Sequence, residues 1–84
     1  MNVNVLYFAR LREVFGVGSE SLTLPDDATV DTLLEVLRRR GTVWADNLAP
    51  ERAFRVAVNQ EVADGAVALS ERAEVAIFPP VTGG

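Results

Sequence analysis

Along positions 2–8 apolar and polar residues fall into two sets with a period of two. Val3, Val5 and Tyr7 point one way; Asn2, Asn4, Leu6 and Phe8 point the other. The β-branched and aromatic content of this stretch predicts a strand, one of whose faces starts polar and ends apolar. Residues 11–15 predict a single helical turn closed by Gly16, a residue free to take positive φ. Alternation returns over residues 19–24, with Leu22 and Leu24 inward, and stops at the turn signal Pro25-Asp26-Asp27. The period then changes. Val30, Leu33, Leu34 and Leu37 lie at i, i+3, i+4 and i+7, the stripe of an amphipathic helix, with Thr29 as N-cap, Asp31 matching the positive helix start and Gly41 as the expected end. Arg38, Arg39 and Arg40 read as a solvated helix end favoured by the dipole, in preference to an anion site. Residues 42–52 keep no single period and contain Pro50. They predict a loop or irregular helical piece that lays Trp44 and Leu48 on the core as packing. Residues 54–58 predict a third strand with Val56 and Val58 inward, Asn59-Gln60-Glu61 a turn, and Val62 or Val67 a weak short strand. Residues 74–78 predict the last strand, with Val75 and Ile77 inward. Pro79-Pro80 ends it, because neither residue has an N–H to give a ladder.

The order strand, strand, helix, strand, weak strand, strand offers one amphipathic helix to cover one sheet face. That is an α+β layer, and a β-grasp roll is its natural small solution: a mixed sheet with one main helix across it and the first and last strands side by side. No repeat or internal linker interrupts the pattern. Residues 1–78 form one domain and 79–84 a flexible tail.

Composition narrows the chemistry. The 84 residues carry a net charge of -4 and include no Cys and no His. A disulfide, the usual zinc sites, a Cys nucleophile and a Ser-His-Asp relay are therefore excluded. All eight basic residues are arginine, so no side-chain amine is available for a Schiff base. The acidic balance, with no basic run beyond Arg38, Arg39 and Arg40, argues against nucleic acid. No apolar stretch approaches the roughly 18 residues needed to span a membrane, and no signal peptide is evident, so a soluble, cytoplasmic protein is expected.

Two features remain for function. If the first and last strands are neighbours, Leu6, Phe8 and Phe78, extended by Val62, form an apolar patch on the uncovered sheet face; such a patch marks a partner site in a small soluble protein. The alternative is a core more two-sided than this. The second feature is the ending Pro79-Pro80-Val81-Thr82-Gly83-Gly84, which extended reaches about 20 Å from the domain. Terminal glycines let a carboxylate pass through a narrow channel. Together, patch, stiff Pro-Pro exit and slender end suggest that the terminus is the reactive group. A free carboxylate is a poor electrophile and requires activation, most simply adenylation by ATP on another protein. The chain lacks a phosphate-binding loop, Gly16-Val17-Gly18 being too short. It is expected to bind no cofactor and to carry no catalytic machinery of its own.

Three segments carry a family resemblance: Phe8-Ala9-Arg10-Leu11-Arg12-Glu13 followed by Gly16, Ala57-Val58-Asn59-Gln60, and Val75-Ala76-Ile77-Phe78-Pro79-Pro80-Val81-Thr82-Gly83-Gly84. The chain resembles, over nearly its whole length, the small subunit of molybdopterin synthase. The resemblance implies a ubiquitin-like sulfur carrier whose C-terminal glycine is adenylated by a ubiquitin-activating-like enzyme, at the expense of ATP, and converted to a thiocarboxylate. The tail would then enter the large synthase subunit, in a heterotetramer, and give sulfur to cyclic pyranopterin monophosphate in molybdenum cofactor biosynthesis. By position, Gly84 would bear the thiocarboxylate, and Gly83, with Thr82, Val81 and Pro80, would thread the channel. Phe8, Val62 and Phe78 would dock, and Arg12 would make a polar contact at the patch edge, its alternative being a surface pair with Glu13. One departure stands out: where the family usually has a Gly-Asp turn before the last strand, this chain has Ser70-Glu71-Arg72-Ala73-Glu74. Other readings are a thiamine-pathway sulfur carrier, a ubiquitin-like modifier joined to target lysines, and a binding module whose tail does no chemistry.

Overall fold

The computed structural model describes residues 1–80; Val81, Thr82, Gly83 and Gly84 lie outside them. In chain order the elements are β1 (Asn2–Tyr7), α1 (Arg10–Phe15), β2 (Ser19–Thr23), α2 (Val30–Arg38), α3 (Thr42–Asn47), β3 (Arg55–Val58), β4 (Glu61–Val62) and β5 (Glu74–Phe78). The strands form one mixed sheet in the order β2-β1-β5-β3-β4. β1 and β5, the first and last strands, are central and parallel, with Val5 beside Val75 and Tyr7 beside Ile77. This is the β-grasp arrangement expected from the element order.

Alternation along the two central strands decides the layering. Val3, Val5, Tyr7, Val75 and Ile77 are all 1% exposed or less and meet Val30, Leu33, Leu34 and Leu37 of α2 in one core. Truncating one of these leucines to alanine would cost about 2–5 kcal/mol, the usual range for deleting a fully packed aliphatic side chain. Thr29 caps α2 as expected, with Thr32 closing a reciprocal capping box. The carbonyls of Val67 and Gly65 accept from the N–H groups of Val30 and Asp31, so the loop after β4 completes the helix start.

Two expectations need correction. α2 ends at Arg38, before Gly41. With φ 151, Gly41 instead stands at the start of α3, where the backbone takes a conformation that side chains disfavour. The stretch expected to be a loop or irregular helical piece holds this short helix, and, as expected, it lays Trp44, half-buried, and Leu48, fully buried, on the core. Nor is the arginine run a purely solvated helix end. Only exposed Arg39 behaves so, facing Glu35 at 3.9 Å. Arg38 donates from Nε to the Leu48 carbonyl at 2.7 Å, tying α3 to α2. Arg40 reaches Glu20 of β2 through two 2.7 Å bonds and lies 4.7 Å over the Trp44 ring.

Glu20 also accepts from the Tyr7 hydroxyl at 2.6 Å, and Trp44 stacks on Phe15 at 3.9 Å, with Tyr7 edge-on to both rings. One cluster thus joins β1, α1, β2, the end of α2 and α3. Hydrogen bonding from Arg40 holds the Glu20 carboxyl below its usual range, assisted by Tyr7. Burial first, and then the Glu20 carboxylate, push the Tyr7 hydroxyl well above the ordinary tyrosine range.

Turns supply the remaining precision. Asn59 and Gln60, with φ 49 and 72, make the tight hairpin between β3 and β4 that twisted strands favour. The Asn59 side chain also accepts from the Glu74 N–H at 3.0 Å. Before β5, Arg72 takes φ 64, and its N–H donates to the Asn2 carbonyl at 2.6 Å. The segment that departs from the expected Gly-Asp turn therefore still demands a left-handed residue, which here is arginine.

Candidate functional site

The sheet face opposite α2 is the candidate docking surface. Strand register divides it into rows. Toward one end lie Ser21, Asn4 and Glu74, paired across β2, β1 and β5. The middle row reads Ser19, Leu6, Ala76, Ala57 and Val62 across all five strands. Beyond it, Phe78 pairs with Arg55. Phe8, one residue past β1, donates its N–H to the Ile77 carbonyl at 3.2 Å and so continues the parallel pairing toward Phe78. Along the strands the face passes from polar, through small and apolar, to aromatic.

The expected docking residues thus share one face. Phe8 is 46% exposed and Val62 is 72% exposed, while Leu6 and Phe78 are half-buried. Single exposed hydrophobics are ordinary, but a connected set on neighbouring strands signals an interaction surface. The local chain is built to keep Phe8 there. Ala9, with φ 54 and ψ -129, turns the backbone sharply, and the Phe8 carbonyl accepts from the Leu11 N–H at 3.1 Å. This corner ends the strand one residue after the aromatic ring and starts α1, which stops where Gly16 takes φ 72.

Arg12 is exposed on α1 and lies against Gly18, where a side-chain carbon would sit 3.1 Å from its Nε. Its alternative pairing with Glu13 is not formed; among the described residues no carboxylate is within ion-pair distance of it. Arg12 flanks an open groove of about 610 Å³ with Ala9, Glu13 and Gly18. Arg55 completes the outer row beside Phe78, a residue that sequence reasoning passed over because an exposed arginine in an alternating strand looks like any solvent-facing position.

Phe78 is the last residue of β5 and the root of the tail. Pro79 and Pro80 follow outside the sheet, both half-buried. Val81, Thr82, Gly83 and Gly84, the carrier end inferred from sequence, fall outside the described residues. Among the described residues no group of three His, Cys, Asp or Glu side chains could hold a metal ion, and no helix is long and apolar enough to cross a membrane.

A five-stranded mixed sheet with one helix-covered face, and with its first and last strands parallel at its centre, defines a small ubiquitin-like β-grasp protein. The chain belongs to the ThiS family, which residues 5–84 match. It is 43% identical over 84 residues to the molybdopterin synthase sulfur carrier subunit of Haemophilus influenzae, covering 98% of this chain and 99% of that one. It is 36% identical over 92 residues to small archaeal modifier protein 3 of Haloferax volcanii, across the full length of both. Its fold matches the crystal structure of SAMP1 from Haloferax volcanii with a TM-score of 0.83 at 29% identity, covering all of both chains. The resemblance to the molybdopterin synthase small subunit, drawn above over nearly the whole length, agrees with this similarity, which covers 98% of the chain.

Proposed function

We propose that this protein is the sulfur carrier subunit of a molybdopterin synthase. The observation that carries the reading is the placement of Phe8 and Phe78 at the end of two parallel central strands, where Phe78 leads directly into Pro79-Pro80 and the Val81-Thr82-Gly83-Gly84 ending. Full-length similarity to a carrier subunit supports it. In this reading the outer face docks and the tail does the chemistry. A ubiquitin-activating-like adenylyltransferase joins the Gly84 carboxylate to AMP and releases pyrophosphate from ATP. Hydrosulfide then displaces AMP, leaving a thiocarboxylate. The loaded tail enters the large synthase subunit, in a heterotetramer, with Gly83, Thr82, Val81 and Pro80 in the channel. Sulfur is passed to cyclic pyranopterin monophosphate, and water cleaves the acyl–sulfur bond so that the Gly84 carboxylate is regenerated. Phe8, Phe78 and Val62 anchor the complex, and Arg12 contacts its edge. The carrier binds no cofactor, and the cytoplasm is its compartment.

Intact-mass analysis tests this directly. After incubation with ATP, the activating enzyme and a sulfur source, the expected product gains the mass of one sulfur-for-oxygen exchange, located at Gly84 by fragmentation. An unchanged terminus would count against the carrier. The similarity to small archaeal modifier protein 3 gives a second reading, a protein modifier. Amide adducts between Gly84 and target lysines in the same experiment would favour it.

A further inference from the structure

We infer that Arg55 is a partner-reading residue of the docking face, and that the large synthase subunit presents a carboxylate to it beside the entrance for the tail. The inference rests on the docking reading above and adds to it a residue and the chemistry it recognises.

Register fixes the position of Arg55. It pairs directly with Phe78 across β3 and β5, while the next pair, Val56 and Ile77, is buried against α2. Since neighbouring residues point to opposite faces, Arg55 shares the outer face with Phe78. It therefore lies on one side of the tail root, with Phe8 on the other and Arg12 beyond Phe8 at the start of α1.

No ion pair among the described residues holds Arg55. Arg38, Arg39 and Arg40 are engaged with Leu48, Glu35 and Glu20, and Arg10 donates to Asn47. Arg12, Arg52 and Arg72 are, like Arg55, without an ion pair among the described residues, but of these only Arg55 is paired across the sheet with Phe78. Arg55 is exposed and, among the described residues, has no carboxylate within ion-pair distance. It also borders a groove of about 410 Å³ against α2, lined by Asp31 and Leu34 of that helix and by Asp64, yet pairs with neither carboxylate. In a chain of net charge -4, a free guanidinium stands next to the aromatic end of the outer face, two rows from the carboxylate of Glu74. A guanidinium is a planar fork matched to a carboxylate, and becomes more effective as surrounding apolar contacts exclude water. Continuity with the Phe8–Phe78 patch puts Arg55 at the rim of the same interface, where charge complementarity governs association rate and orientation more than total affinity. The occupant that fits is an acidic rim on the large subunit.

The test uses the full chain and the purified large subunit of the same organism. Arg55→Glu should bind about tenfold more weakly, mainly through slower association, and the difference from the parent should shrink at high salt. Arg55→Lys should retain most of the affinity. Changing the matching carboxylate of the large subunit to arginine should restore binding to Arg55→Glu. Because Arg55 has no intramolecular ion pair, all variants should melt with the parent. Phe8→Asp serves as the control for the docking face. If Phe8→Asp abolishes binding while Arg55→Glu binds within about twofold of the parent with the same salt dependence, the role of Arg55 is overturned and the docking face stands. If neither substitution alters binding, the docking reading itself fails. A loss confined to the activating enzyme would also overturn the assignment of the large subunit as the occupant.

Discussion

Tyr7 and Phe8 are adjacent aromatic residues with opposite fates. Tyr7 is 1% exposed, its ring held edge-on to Phe15 and Trp44 and its hydroxyl bonded to Glu20; Phe8 is 46% exposed and turned to the other side of the sheet. The pleat separates them, since successive residues of an extended chain face opposite ways, and the turn at Ala9 fixes Phe8 on its side. The pair teaches that a similar apolar group, displaced by one position, moves from holding the domain together to presenting it. Damage on the Tyr7 side should appear in stability, and damage on the Phe8 side in binding.

Tyr7→Ala should produce the largest effect, a loss of about 3–5 kcal/mol in chemical denaturation, because it leaves a cavity beneath two rings and removes a donor from Glu20. Phe8→Asp should leave the melting temperature close to that of the parent but weaken large-subunit binding about 30-fold or more, a hot-spot loss read by calorimetry. If Phe8→Asp instead destabilised the domain as Tyr7→Ala does, the division between the two sides would fail.

Glu20→Gln sharpens the comparison through pH. Because Arg40, with help from Tyr7, lowers the Glu20 carboxyl from its usual value of 4.5, its stabilisation is present above that value and is lost as pH falls through the lower folded one. The variant should lose about 1.5 kcal/mol near neutrality, and the gap should close in acid. The raised Tyr7 hydroxyl acts at the other extreme. Its contribution is complete below the ordinary tyrosine value of 10.0 and is lost as pH rises beyond it toward the folded value. The smallest effect lies away from both sides: Arg72→Gly should stabilise the domain by about 1 kcal/mol in denaturant titrations, relieving a left-handed conformation without changing partner affinity.

The fold was legible where one local pattern governed it. Alternation located β1 and β5, and the stripe from Val30 to Leu37 located α2. α3 was harder to read because it is a six-residue helix with no buried residue of its own, leaving little periodicity. The Arg40–Glu20 bond was hidden for a different reason: its partners are 20 residues apart, and the dipole argument accounts for an arginine at a helix end without any distant acid. The docking face was partly legible. Alternation singled out Leu6, Phe8 and Phe78, but Arg55 acquires meaning only when the sheet register sets it beside Phe78.

If the outer face docks a partner as proposed, its grading restricts how that partner can sit. Sliding it two residues along the strands, about 7 Å, would bring Asn4 and Glu74 to the apolar surface that otherwise meets Leu6 and Ala76, burying a carboxylate without compensation. In the proposed docking the sheet would act as a key with a single seating, and that seating would gauge how deep the last glycine travels. In the carrier reading, delivery is metered by a rigid surface, and the tail needs only to be narrow and of the right length.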